Sequence, residues 1–582
     1  MPIIGVNAGF LVDPLSILFV NLVSFLGLII IIYSLGYMRN EEGLGRYYFF
    51  LLLFLGSMIG LVISDNFLQM FIFWEMVGLC SYGLVSFWSK RPEVVRAGVK
   101  VFLMTRVGDV SFLFAIAVLY SALGSFSFSY IMQHIAEIPL SSVTLIAFLM
   151  LGGAIVKSAQ LPLHTWLYTA MEAPTSVSAL LHGATMVKAG VYLLARLFIL
   201  FGPLLTLIPY WLSSVAWIGA ITAFIGATLA LATPDIKGVP AYSTVSQIGF
   251  MIAAMGAATS ATSLGWFAGL FHLMSHAFFQ SLGFLAIGAI IHMLHTRDMR
   301  LMGGIRKLMP YTFGLCIVVL FARTGVPPFA SFFSKGLIVK SLALTGDLPI
   351  VLVIYGAIAL TFAYTLRFTI LTFLRGRSEH VIQANLHEAP KIMLGASTVL
   401  AIFCVIWGFL ANNFAAFMHV SQVIQLSAIF SPETLIFVFV LFLGGLPVYL
   451  YYYQMDSISG AFKRAASPVI NLAANGYYLD QFYDRVVAGG VAKVSNGFQY
   501  IETNFFERIP SFVSGGITRI TSSIHSLYRL TLVKVLYLLR DRWLSDEERE
   551  TEAIEESLPS YLVVFLMGVL ILTIMLLLTV WM

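Results

Sequence analysis

Apolar residues run along this chain in long blocks, and the short stretches between them hold nearly all of the charge. Windows long enough to cross about 30 Å of hydrocarbon fall near 8-35, 47-63, 66-88, 99-122, 144-164, 177-200, 207-232, 240-258, 263-294, 308-345, 349-375, 393-417, 432-454 and 559-582. Fourteen such blocks predict an all-α polytopic membrane protein, because backbone in lipid must satisfy its own hydrogen bonds. Charge tests the count, since alternate loops then fall on one side. That side carries Arg39, Arg46, Lys90, Arg91, Arg96, Lys237, Arg297, Arg300, Arg306, Lys307, Arg375, Arg377 and Lys391. The opposite set, near 64-66, 121-142, 201-206, 259-262, 346-348 and 418-431, has no Lys or Arg. The positive-inside rule then places the basic loops in the cytoplasm, or in the matrix or stroma of an organelle, with both termini opposite.

Composition agrees: 59% of the 582 residues are hydrophobic and 10% are charged, and no soluble domain of this kind is expected. Cys80, Cys316 and Cys404 lie singly in apolar blocks, which argues against a disulfide framework or a metal site. The start of the chain has neither a basic n-region nor an A-x-A site, so no removable signal peptide is expected.

Two lysines break the apolar pattern. Lys157 lies in the run from Leu145 to Leu163, and Lys335 lies in the stretch from Tyr311 to Leu344. An ammonium in mid-bilayer costs from ~3 to more than ~10 kcal/mol, so such groups face a bundle interior or a wet cavity and mark an ion path. Each accompanies a proline that interrupts a helix. In KSAQLPLHTW, Lys157 is five residues before Pro162; in RTGVPPFASFFSKG, Lys335 is seven residues after Pro328. Paired interrupted spans point to internal repeats with a site near the midplane. Glu75, in FIFWEMVGL, is the expected acidic partner of Lys157.

Residues 455-558 differ in character, with eleven of the thirty-three Lys and Arg. From about Val491 to Leu544 the faces alternate at helical spacing: Phe498, Ile501, Phe505, Phe506 and Ile509 are apolar, Lys493, Glu502 and Arg508 polar. This pattern predicts an amphipathic helix lying along the membrane, kinked at Pro510 and Gly515-Gly516, ahead of a last span.

The motifs WEMVGLCSY, TRVGD, GGAIVKSAQLPLHTWL, APTSVSALLHGATMVKAGVYLLAR, DIKGVPAYSTVSQIGF, HLMSHAFFQ and GVPPFASFFSK follow one another along nearly the whole chain. In this order they closely resemble the antiporter-like L subunit of respiratory complex I, called chain 5 in mitochondria and F in chloroplasts. The resemblance implies two inverted-repeat halves, at 47-200 and 201-375, after an N-terminal helix at 1-46. Additional helices follow at 376-454, then a connecting segment with a lateral helix at 455-558 and an anchor at 559-582. It implies a proton-translocating subunit of a redox-driven NADH, or analogous donor, to quinone oxidoreductase, related archaeal dehydrogenases included. The expected partners are M, N, K, J and H type membrane-arm subunits, the lipid bilayer and protons, with no nucleic acid. Quinone, flavin and iron-sulfur clusters are expected in those partner subunits and no cofactor here, where no nicotinamide fingerprint, cysteine cluster or haem motif occurs. A multi-pass protein of a prokaryotic plasma membrane is the expected setting, an organelle inner or thylakoid membrane the other. The family's usual form has two more spans ahead of GFLVDPLS, carries an acid where Gly336 stands, and in some members a lysine where Gln280 stands.

The candidate relay is Glu75, Asp109, Lys157, His182, Lys237, His272, His276 and Lys335. Burial disfavours a charged lysine and a nearby carboxylate restores it, so making or breaking a Glu75 to Lys157 contact would switch the proton. Arg106 and Asp109, three apart on one helical face, would pull on Glu75. Histidine can donate and accept near neutrality, which suits His182, His272 and His276. Lys188, Ser158, Ser243, Thr244, Ser246 and Gln247 would line the path, although Lys188 and Arg196 read more simply as helix contacts, and Arg323 has no assigned role. Two rivals stand beside this reading. One is a cation/proton antiporter subunit of the multisubunit Mrp or membrane-bound hydrogenase kind; the other is a structural subunit whose buried charges only fix packing.

Overall fold

A computed structural model describes residues 8-258, 263-384, 386-421, 424, 426-453, 467-468 and 470-506. The helices, in chain order, are α1 (Pro14–Tyr37), α2 (Leu44–Ile63), α3 (Phe67–Val85), α4 (Pro92–Leu123), α5 (Phe128–His134), α6 (Leu140–Lys157), α7 (Thr165–Thr169), α8 (Thr175–Gly183), α9 (Met186–Leu205) and α10 (Trp211–Ala232). They continue with α11 (Gly238–Gly256), α12 (Leu264–Leu294), α13 (Pro310–Thr324), α14 (Ala330–Ala343), α15 (Leu348–Thr369), α16 (Glu379–Gln383), α17 (Lys391–Ile406), α18 (Ala411–Phe417) and α19 (Pro432–Tyr453). Described residues to Phe482 form one compact unit.

Among the described residues, ten helical segments are long and apolar enough to cross a membrane, or eleven if α17 and α18, bent by 83° at a short break, are one span. Two further expected spans differ in kind. The one near 240-258 is the helix α11, which carries Ser243, Thr244, Ser246 and Gln247 along its middle. The one near 308-345 is two short helices, α13 and α14, joined at Gly325–Phe329. The span expected at 559-582, and the lateral helix beyond residue 506, lie outside the described residues; the helix Gly489–Ile501 covers only the first part of that amphipathic pattern.

Local sequence sets the helix ends. Asp13 starts α1 with a capping box, its Oδ1 accepting from the Ser16 N–H at 2.8 Å while Ser16 Oγ accepts from the Asp13 N–H at 2.9 Å. Asn66 caps α3 by accepting from the Gln69 N–H. Gly325 ends α13 in the left-handed region at φ 85°, which a side chain would resist.

α12 is the axis of the bundle. Nearly all of its residues are buried, and α8, α11, α13, α14 and α17 pack around it. By contrast α15 and α19 leave Leu352, Leu435, Phe439 and Leu443 exposed, as an apolar helix facing lipid does. The innermost helices are therefore the polar ones. α10 and α11 approach so closely that a Cβ on Gly249 would meet the Gly219 carbonyl and the Ala223 nitrogen, each at 2.6 Å. Neither backbone atom can yield as a side chain could. Gly249→Val is expected to lower the melting temperature of the purified, detergent-solubilised assembly by several degrees, by an overpacking cost of about 1–3 kcal/mol, read by thermal unfolding.

Candidate functional site

A charge cluster spans α3, α4 and α6. Arg106 pairs with Glu75 through Nη1, and its Nη2 lies 2.9 Å from Asp109 Oδ2 as an ion pair. Asp109 Oδ1 in turn lies 3.6 Å from Lys157 Nζ and accepts from the Trp74 indole N–H. Lys157 also donates to the Trp74 carbonyl at 3.2 Å and sits 5.0 Å from the centre of its ring. The acidic partner of Lys157 is thus Asp109, and Glu75 is held one step away by Arg106. This corrects the direct Glu75 to Lys157 contact expected from sequence. The reason is packing order: α4 contacts both α3 and α6, so its inward carboxylate reaches the lysine first. Burial falls outward along the cluster, with the Lys157 side chain 0% exposed, Asp109 4%, Arg106 25% and Glu75 30%.

The other buried lysines share a different device. A helix end leaves carbonyls without intrahelical donors, and each of these lysines supplies one. Lys335, in α14, donates to the Arg323 carbonyl at 2.7 Å and the Thr324 carbonyl at 3.4 Å, in the last turn of α13. Lys237 donates at 2.7 Å to the carbonyls of Met171 and Ala173, just ahead of α8. Lys188 donates to the Gly183 carbonyl at the end of α8, and at 3.3 Å to that of Leu273. The α8 to α9 junction is a third interruption, at Thr185 (φ −126°, ψ −105°), within a span that reads as continuous in the sequence. No proline marks it.

A hydrogen-bonded thread runs from His182 to Lys335. His182 Nδ1 meets Thr244 Oγ1 at 3.0 Å; because that hydroxyl donates to the Pro240 carbonyl, the histidine is the donor and its Nε2 is left as an acceptor. Gln280 Nε2 donates to the same hydroxyl at 2.8 Å, and Gln280 Oε1 accepts from Arg323 Nη2 at 3.3 Å. The Arg323 carbonyl then holds Lys335. Beside this thread, His272 Nε2 donates to Gln247 Oε1 at 3.1 Å, and its Nδ1 accepts from the Ser334 hydroxyl at 2.9 Å. His276, one turn further along α12, is fully buried with no partner for either ring nitrogen among the described residues. Such atoms ordinarily bind ordered water.

The eight candidates from sequence therefore fall into two groups. Glu75, Asp109 and Lys157 form the outer cluster; His182, Lys237, His272, His276 and Lys335 line the interior around α11 and α12. Three buried groups stand outside the eight candidates. Lys188 is fully buried at the α8 to α9 break. Arg323 is 2% exposed and stands in the thread itself. His164 is buried in the break that follows Lys157, its Nδ1 3.2 Å from the Pro162 carbonyl. The signal that singles out Lys157 also applied to Lys188 and Arg323, each a cation inside an apolar run. Gly336 lies exposed on the outer side of α14, with no atom within 4 Å of where a Cβ would be. Among the described residues no group of three or more His, Cys, Asp or Glu is placed to hold a metal.

An apolar bundle with a cationic, hydrogen-bonded interior defines an ion-translocating type of membrane subunit. Comparison with known proteins narrows the class. Residues 64–361 match the family model described as NADH:quinone oxidoreductase/Mrp antiporter, and residues 3–48 match the N-terminus of chain 5 of NADH-ubiquinone oxidoreductase (complex I). The chain belongs to this family of antiporter-like subunits. It is 35% identical over 556 residues to NAD(P)H-quinone oxidoreductase chain 5 of Synechocystis sp., covering 85% of this chain and 80% of that one. It is also 35% identical over 590 residues to F(420)H(2) dehydrogenase subunit L of Methanosarcina mazei, covering 91% and 86%. Among solved structures, the Mrp complex from Dietzia sp. aligns with a TM-score of 0.74 at 28% identity, over 92% of this chain and 57% of that one. A membrane-bound sulfane sulfur reductase, at 24% identity and a TM-score of 0.68, shares the fold.

Removing one member of a buried ion cluster strands the others. Asp109→Asn is expected to cost about 3 kcal/mol in the stability of the purified assembly. Glu42→Gln, at an exposed pair with Lys90, should leave the melting temperature unchanged. Paired melting curves check the difference.

Proposed function

We propose that this chain moves protons as one membrane subunit of a redox-driven oxidoreductase that passes electrons to a quinone. The observation that carries this reading is the set of buried ionisable groups inside the bundle, Lys157, Lys188, His182, His272, His276 and Lys335, with the polar side chains of Thr244, Gln280 and Arg323 set between His182 and Lys335. Electrons would pass through partner subunits that hold the donor site, the quinone, the flavin and the iron-sulfur clusters.

Arg106 is the natural switch. It shares its guanidinium between Glu75 and Asp109, while Asp109 shares its charge between Arg106 and Lys157. When Arg106 swings fully to Glu75, Asp109 is left to compensate Lys157, and a proton on that lysine is stabilised. When Glu75 is drawn away, Arg106 takes Asp109, the charge on Lys157 loses its counterion, and its proton moves inward past Ser158 to the Lys188 and His182 region. From there the route to Lys335 passes His272 and His276, where ordered water on the unpartnered ring nitrogens of His276 would complete it. Lys237, His182's neighbour on the basic side, is held near Asp235, Glu172 and Arg297 and is the entry for a second proton.

Glu75 and Arg106 also indicate a partner. Charged groups this exposed within the apolar band cannot face lipid without a cost of several kcal/mol, so the α3 and α4 face is covered by another membrane-arm subunit. Residues 47-200 and 201-375 act as the two halves, the first ending in the Lys157 and Lys188 groups and the second in Lys335. The basic loops face the cytoplasm of a prokaryotic cell.

The test uses the whole complex, purified through a tag on this chain and reconstituted in vesicles, with proton uptake recorded against quinone reduction. Lys157→Met and Lys188→Met are each expected to lower proton uptake on the order of tenfold, in line with the loss of one proton-transfer group. Unchanged protons per electron in both would overturn the reading. The fold shared with the Mrp complex supports a second reading, exchange of sodium for protons. Recovery of an assembly without redox subunits, whose proton flux depends on sodium, would favour it.

A further inference from the structure

The two charge clusters are built differently. In the outer one, two cations, Arg106 and Lys157, face two carboxylates, Glu75 and Asp109. In the inner one Lys335 donates to the backbone carbonyl of Arg323, and among the described residues no carboxylate pairs with either. The groups around them are Lys188 on α9, His272 and His276 on α12, Cys316 on α13 and Tyr364 on α15; none carries a negative charge in its ordinary form at neutral pH.

Arg323 is held in a specific way. Its Nη2 donates to Gln280, its guanidinium carbon lies 5.9 Å from the Phe279 ring centre, and Gly283 admits it, since a Cβ there would lie 2.9 Å from Nη2. Its Nε has no partner among the described residues. A guanidinium does not give up its proton in a protein, so Arg323 cannot be a relay station, although it occupies the link between Gln280 and Lys335. Its backbone carbonyl, however, is the main acceptor for the Lys335 ammonium.

Resting on the reading of this chain as a proton carrier, we propose that Arg323 is a positioning residue: a fixed positive charge that holds Lys335 in place through its carbonyl and expels the proton Lys335 receives. The carbonyl attracts the ammonium and fixes where it sits. The guanidinium, carried by the same residue as that carbonyl, opposes a second charge in a medium of low dielectric. Lys335 thus holds a proton briefly, and the repulsion drives it outward. In the outer cluster an adjustable carboxylate does this work; in the inner one a permanent cation does.

The test compares the intact complex carrying Arg323→Gln, Arg323→Lys and Gln280→Glu in vesicles, with proton uptake per quinone reduced measured from pH 5.5 to 9. Arg323→Gln removes the charge, and Gln280→Glu neutralises it where it stands. Both should move the pH profile of pumping to the alkaline side by about one unit or more. Arg323→Lys keeps the charge and should restore the wild-type profile. Identical profiles in all three would overturn the inference, as would a loss of pumping at every pH that Arg323→Lys does not rescue. Should Arg323→Gln fail to assemble, Gln280→Glu is judged against Gln280→Met, which loses the same donated bonds to Pro240 and Thr244 without adding a charge and should leave the profile unshifted. A wild-type complex that reduces quinone without moving protons would instead sink the underlying reading.

Discussion

The rest of this structure depends on one interaction, the bond between a buried lysine ammonium and carbonyls that broken helices leave free. Each component alone is costly in a membrane: an unpaired carbonyl by several kcal/mol, an unpaired ammonium by more. Brought together, each satisfies the other. Lys335 on the end of α13, Lys237 ahead of α8 and Lys188 at the end of α8 all follow this rule. The arrangement is also only loosely binding for a proton, because a neutral carbonyl compensates a charge far less than a carboxylate does.

That contrast separates the two ends of the path. At the outer end Asp109 and Glu75 share Arg106, giving a cluster with two alternative pairings and therefore two states. Its exposed members lie where a neighbouring subunit would reach them. At the inner end, around α12, no carboxylate pairs with Arg323 or Lys335 among the described residues. In the proposed reading, coupling to the outside enters through α3 and α4, and the interior follows through repulsion between cations. The absence of an acid at Gly336 fits this division, since that position faces outward from α14 and away from the thread.

Much of this was legible in the residues. Apolar blocks and loop charges located the helices, since lipid tolerates so few alternatives. Pro162 and Pro328 announced two of the breaks, and Lys157 and Lys335 stood out as cations in apolar runs. The α8 to α9 break was hidden because no proline marks it, and Gly183 alone, inside an apolar run, did not separate it from a continuous span. Lys188 read more simply as a helix contact, and its partners are carbonyls, which every residue possesses and which sequence therefore does not single out. The Glu75 to Lys157 pairing failed for a related reason: the i, i+3 spacing placed Arg106 and Asp109 on one face of α4 but could not say that α4 packs between α3 and α6. Arg323 illustrates the same limit, for its meaning comes from Gln280 and Lys335 on two other helices.

The central claim is that the interior of this bundle is a hydrated proton path. The most direct measurement is an electron cryo-microscopy map of the intact complex at a resolution that shows individual waters. The account predicts ordered waters at His182 Nε2 and at both ring nitrogens of His276, atoms that have no partner among the described residues, joining Lys188 to the thread that ends at Lys335. Those nitrogens packed dry against apolar side chains, with no water between Lys157 and Lys335, would contradict it.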